Sequence, residues 1–224
     1  MLHTANILLH VSCGTIALLL GFVAIFSRKG GRVHIKSGQI FLVLLVVVIT
    51  TALVGVFIFG RNTFLLVITL LAAYQGFSGN RILQTRANTP HWADILAGVL
   101  TLSSAAYFVY FLRQIGMIWS PTVMYSTLGW LFGIILYDVV RYFIPTELYK
   151  EHRIWLLEHI VKLMAAFGAL FSAFVGTVLP NFQPYSQLLP SVVVTLGMAY
   201  FLIVWSKKRT PSNRAFVERI SSQA

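Results

Sequence analysis

Few side chains in this 224-residue sequence can do chemistry, and most of them stand at the ends of apolar stretches. His34 opens one such stretch, and His91-Trp92-Ala93-Asp94 opens another. Glu158-His159 begins a third, with Lys162 one turn further on. Gln75, Ser78 and Asn80 close a fourth, and Asp138 with Arg141 closes a fifth. Imidazole suits Zn, Cu, Fe and Ni, and haem takes one or two axial histidines from helices that face each other. His34, His91 and His159 are therefore the candidate ligands for haem b or a divalent metal, with His159, His91 and Asp94 as a metal set. The remaining polar groups, Gln75, Asp94, Asp138, Arg141, Glu158 and Lys162, read as a solute or proton path, because ionisable groups within spans face a cavity or the bundle interior, and His159 beside them titrates near neutrality as His does. His10, with Ser12, Cys13 and Thr15, is the counterpart at the other end. A single Cys leaves no internal disulfide and no multi-Cys zinc or iron–sulfur site.

The elements that must position these residues are transmembrane helices. Hydrophobic residues make up 58% of the chain and charged residues 10%, with a mean hydropathy of +0.81. A soluble domain carries about 25% charged residues, so a soluble, disordered or collagen-like chain is excluded. A helix needs about 20 mostly apolar residues to cross the hydrocarbon. Seven windows qualify, at about 5–26, 38–60, 62–80, 93–112, 122–142, 155–179 and 188–206. Gly30-Gly31, Thr89-Pro90, Ser120-Pro121, Pro145 and the Pro180–Pro190 region separate most of them. The expected fold is one all-α bundle of seven transmembrane helices over residues 1–206, with a basic tail from 207 to 224.

Charge gives the orientation. There are 17 Lys+Arg against 6 Asp+Glu, a net charge of +11. Fourteen of the cations, from Arg28, Lys29, Arg32 and Lys36 through Arg81, Arg86, Arg141, Lys150 and Arg153 to the tail, fall on one side. Only Arg61 and Arg113 fall on the other. The positive-inside rule then puts the N-terminus outside and the tail in the cytoplasm. The excess charge is topogenic and needs no nucleic-acid partner, and no nucleic-acid module is present. The start lacks a basic n-region and a cleavage site, so the first window is expected to remain as a span. Trp92, Trp119, Trp155 and Trp205 fit an interfacial belt, with Trp130 as the exception, and the segment after Pro211 fits a short surface helix.

Each candidate has a plainer reading beside it. Asp94 and Glu158 stand in first turns, where the helix dipole favours a carboxylate. Glu158 is also i to i+4 from Lys162, so the two can neutralise each other. Asp138 opposes the dipole at a helix C-terminus, with Arg141 at i+3 as its local relief. His91 fits an interfacial side chain, and His34 fits a solvated basic turn. His159, one turn inside its window, needs a partner. No His-Glu-x-x-His, phosphate loop, Gly-x-Ser-x-Gly or dinucleotide fingerprint is present. The last window has no Lys, so a retinal Schiff base has no attachment point.

A local echo links two of the histidines. His10-Val-Ser-Cys-Gly14 and His34-Ile-Lys-Ser-Gly38 are both His-x-x-x-Gly before a long aliphatic run, so His and Gly share a helix face. On His10, Gly14, Gly21, Gly31, His34 and Gly38, the first 45 or so residues resemble the bacterial membrane proteins grouped as domain of unknown function 2306. That resemblance implies no activity. A more distant similarity is to the ascorbate-reducing helical cytochromes b, and it implies two haems held by membrane histidines at opposite faces. The sequence departs from that pattern, since no second outward histidine within a span pairs with His10.

Three functions follow as expectations: a haem- or metal-binding redox protein, a small solute or proton-coupled transporter or channel, and a non-catalytic subunit of a membrane complex. Whether the protein is an enzyme stays open. All three place it as a multi-pass protein of the lipid bilayer (the inner membrane in a bacterium), alone, as a homo-oligomer or in a complex.

Overall fold

The structure, a computed structural model, describes residues 1–60, 63–115 and 120–207. Arg61, Trp119 and the tail beyond Lys207, including the expected surface helix, lie outside the described residues. What is described is helix and turn throughout, with no strand. The long helices are α1 (Leu2–Phe26), α2 (Arg32–Phe57), α3 (Thr63–Thr85), α4 (Trp92–Ile115), α5 (Pro121–Val140), α7 (Ile154–Val178) and α8 (Tyr185–Ser206). A short α6 (Thr146–Glu151) lies between α5 and α7. Hydropathy alone does not reveal this element, because its six residues are mostly polar.

Among the described residues, six helices are long and apolar enough to cross a membrane, so the protein is an all-α, multi-pass membrane bundle. The exception among the long helices is α3, whose second half carries Gln75, Ser78, Asn80 and Arg81. It is nevertheless the most enclosed helix. Phe64, Val67, Leu71, Tyr74, Gln75, Ser78 and Ile82 are all buried. A helix surrounded by protein needs no apolar outer face, and this frees its composition from the lipid.

Two apolar cores meet along α3 and α7. One joins α3, α4 and α5 through Phe64, Val67, Phe108, Leu131 and Ile134. The other joins α1, α2, α7 and α8 through Ala17, Phe41, Leu45, Phe167 and Val194. Lipid tails are as apolar as leucine, so close packing rather than water exclusion holds such helices together. Small residues make it possible. A Cβ added at Gly79 would stand 2.9 Å from Lys162 Cβ and 2.8 Å from Leu163 Cδ2, so α3 lies directly on α7 at the level of the charged residues. One at Gly21 would collide with the Phe167 ring.

The His-x-x-x-Gly echo becomes a reciprocal clamp. His10 on α1 places Nδ1 2.8 Å from Thr51 Oγ1 on α2, and His34 on α2 places Nδ1 2.9 Å from the Ala24 carbonyl of α1. Each end of the α1–α2 hairpin is thus fastened by one histidine. Gly14 faces α2 as its spacing implies, since a Cβ there would stand 3.8 Å from Val48, whereas Gly38 has open space.

Gly129 and Gly133 also have open space where a Cβ would go, so they bring no helices together within the chain. The contrast with Gly79 can be measured. Gly79→Ala is expected to destabilise the detergent-solubilised protein by about 1–3 kcal/mol through overpacking. Gly129→Ala is expected to leave stability unchanged or raise it by up to about 1 kcal/mol, because Ala is the better helix former. Thermal unfolding of the two variants checks both signs.

Candidate functional site

Four ionisable side chains from α5, the turn after it and α7 meet out of contact with solvent. Asp138 is on the last turn of α5, Arg141 begins a 3-10 turn at 141–143, and Glu158 and Lys162 face inward from α7. Lys162 is 0% exposed, and the other three are 3–4% exposed. The Lys162 ammonium donates to both oxygens of Asp138, at 2.6 and 2.8 Å. Arg141 Nη1 donates to Glu158 Oε2 at 2.7 Å, and Arg141 Nε lies 3.2 Å from Asp138 Oδ1. Arg141 therefore spans the two carboxylates, and two positive charges balance two negative ones.

Tyrosines complete the cluster. The Tyr74 hydroxyl of α3 donates to Asp138 Oδ2, and the Tyr137 hydroxyl donates to Glu158 Oε1 at 2.8 Å. Tyr149 of α6 is fully buried. Burial, and then the nearby Glu158 charge, push its hydroxyl well above the usual tyrosine range. Asn88 holds the turn that carries Arg141, its amide donating to the carbonyls of Arg141 at 3.1 Å and Ile144 at 2.6 Å. Gln75 Oε1 and Ser78 Oγ are buried and make no hydrogen bond among the described residues.

The pairing corrects one expectation. Glu158 and Lys162 share a face of α7 but do not pair with each other. Each reaches the α5 side instead, because Asp138 and Arg141 offer opposite charges in antiparallel register. The helix with Glu158 also starts at Ile154, after Arg153 in a left-handed conformation at φ 50°, so His152 does not share its face with His159.

The metal set His159, His91 and Asp94 is not assembled. Among the described residues no three His, Cys, Asp or Glu come together as a metal site. Asp94 pairs with Arg81 at 2.7 Å. His91 is exposed just before α4, where its Nδ1 accepts the Ala93 N–H at 3.2 Å. His159 Nδ1 lies 3.0 Å from the Gly79 carbonyl. His91 therefore stands apart from His34 and His159 as a cofactor ligand. Of the proton-path residues, Asp138, Arg141, Glu158 and Lys162 are joined directly. Gln75 is buried on the neighbouring helix one residue from Tyr74, and Asp94 belongs to a separate pair.

Sequence reasoning missed Tyr74, Tyr137 and Asn88, since a tyrosine near a span end reads first as an interfacial side chain. A usable signal was present. Tyr74 adjoins Gln75 and Tyr137 adjoins Asp138, so each aromatic lies beside a polar candidate at the same depth. The chain matches no protein-family model, no curated protein and no solved structure.

Removing one member of a buried ion pair leaves an uncompensated charge and costs about 3–5 kcal/mol. Lys162→Met is expected to lose that much stability in mixed-micelle unfolding. The double variant Asp138→Asn/Lys162→Met is expected to lose less than the two single variants together, by at least about 1 kcal/mol of coupling. Strictly additive losses would mean that Asp138 and Lys162 do not act as a pair.

Proposed function

We propose that the protein is a seven-span membrane transporter in which the Asp138–Arg141–Glu158–Lys162 cluster couples a proton to the movement of a small solute. In this reading α3 crosses the bilayer with the other six long helices, its polar half sheltered by α7. The N-terminus is outside, and the ends bearing Arg28, Arg81 and Arg141 face the cytoplasm by the positive-inside rule.

The observation that carries the reading is the burial of four balanced charges inside a bundle of apolar helices. Apolar residues of similar volume would hold these helices at equal or lower cost. Ionisable residues within spans mark ion and substrate paths for that reason. The chemistry follows from the charge balance. A proton accepted by Asp138 leaves the cluster with one positive charge in excess and weakens its hold on Lys162. The α5–α7 tie then loosens, and a negatively charged solute group restores the balance. The spare Ser78 Oγ can donate to such a group, and the spare Gln75 Oε1 can accept from an N–H or O–H elsewhere on the solute.

Reconstituted vesicles with an imposed pH gradient test this. Wild type is expected to move protons only with its solute, scored across a panel of small anions and neutral metabolites. Asp138→Asn and Glu158→Gln, shown to be folded, are expected to lose that flux by at least tenfold. Equal flux in wild type and both variants would contradict the reading.

A second reading, a haem or metal site, rests on His34 and His159. A carbonyl can only accept, so each ring carries a proton on Nδ1 toward Ala24 or Gly79, and in the neutral ring the lone pair is then on Nε2. That tautomer, fixed by a backbone carbonyl, is the one metal-ligating histidines adopt. When bound, such a group would supply electron transfer, and the two histidines would supply its position. The purified protein from haem-replete cells is then expected to show a Soret band or stoichiometric metal, and to lose it in His159→Ala. A colourless, metal-free sample contradicts it.

A further inference from the structure

A second place in the molecule gathers charge without balancing it. Where α1 and α8 end, a cavity of about 550 Å³ opens between the turn after α1 and the last turns of α8. Arg28 and Lys29 line it together with Phe26, Phe201 and Trp205. Arg32 and Lys36 follow on the first turns of α2. The first Asp or Glu in the sequence is Asp94, and none occurs between Glu158 and Glu218. The described parts of α1, α2 and α8 therefore supply no carboxylate to this basic cluster, and none of its four cations is in an ion pair among the described residues.

Lys29 is held in the cavity wall. Its ammonium donates to the Ala24 carbonyl at 3.2 Å and to that of Ile25, and lies 4.4 Å from the centre of the Phe201 ring. An ammonium has three donors, so one remains after the two carbonyls are served. The bonds to carbonyls also offset the negative end of α1, which would otherwise repel an anion. Burial lowers the Lys29 pKa from its ordinary value, and an anion alongside would raise it again. Arg28 is exposed beside it and is in no ion pair among the described residues. Apolar surface borders the charge: Phe26 is 81% exposed, and α1 and α8 are both candidate membrane spans. A water-soluble anion has no use for such a rim, whereas an acyl chain does.

We propose that this cavity binds the headgroup of an anionic phospholipid, with its phosphate against Arg28 and Lys29 and its acyl chains beside Phe26 and the adjoining ends of α1 and α8. Basic pockets between helix ends at the membrane surface recognise lipid headgroups in this way. The site is separate from the α5–α7 charge cluster and does not depend on the transport reading.

The test uses the full chain in neutral detergent and compares phosphatidylglycerol, phosphatidylcholine and inorganic phosphate. Phosphatidylglycerol is expected to raise the unfolding temperature saturably by several degrees, with no shift from the other two. Native mass spectrometry of the wild type should show phosphatidylglycerol retained in preference to phosphatidylcholine. Arg28→Gln is expected to reduce the shift at least threefold, while Lys36→Gln, a change of equal charge outside the cavity lining, leaves it intact. Equal reductions by the two variants would show diffuse attraction to the basic surface and overturn the site. So would a shift from phosphate alone, or equal retention of the two lipids. If Arg28→Gln does not fold, the wild-type retention ratio decides.

Discussion

Lys162 is fully buried, and much of the arrangement around it follows from that constraint. An ammonium placed in a low-dielectric interior costs several kcal/mol unless it is paired and hydrogen-bonded. Asp138 supplies both oxygens to it, and the Tyr74 hydroxyl of α3 completes the same carboxylate. Arg141 lies against Asp138 and carries the network on to Glu158, where Tyr137 closes it. Gly79 lets α3 approach the Lys162 stem closely enough for Tyr74 to reach in. Three helices are thereby fixed at one end by polar contacts, in a bundle whose other contacts are mostly apolar.

The pairs follow an antiparallel ladder. Asp138 meets Lys162 and Arg141 meets Glu158, so both pairs are nested about the α6 region near Tyr149. An Asp-x-x-Arg at the end of one helix and a Glu-x-x-x-Lys at the start of the next carry this register in the sequence itself. The i to i+4 rule hides it, because Glu158 and Lys162 read as partners when α7 is taken alone. Local spacing describes an isolated helix, and in a bundle the facing helix competes for the same charges. The competition is won here by a partner that also relieves Asp138 at the unfavourable end of its own helix.

Hydropathy made the helices legible, since 20-residue apolar runs leave little alternative. Their ends were less so. α2 begins at Arg32 rather than near Gly38, because a basic first turn is polar but still helical. α3 runs on to Thr85 past Asn80 and Arg81 for the same reason, and α6 is too short and too polar to register. Among the candidate residues, the charged ones were found and the hydroxyls that bind them were not. His91 and Asp94 sit close together in sequence and were expected at the same end of the bundle as His159, yet a shared end alone does not bring side chains together. Asp94 is taken by Arg81 across the α3–α4 connection, where the chain reverses direction and the two must be neighbours. The histidines of the echo, 24 residues apart, turned out to face one another's helices as the two clamps of a single hairpin.

The charge balance around Lys162 and Arg141 requires Asp138 and Glu158 both to be carboxylates in the resting protein. Infrared spectroscopy of the reconstituted protein at neutral pH reads this directly, with Asp138→Asn and Glu158→Gln assigning the bands. The expected result is a set of carboxylate bands that each variant removes singly, and no carboxylic-acid band from either residue. A carboxylic-acid band from Asp138 or Glu158 at rest would contradict it.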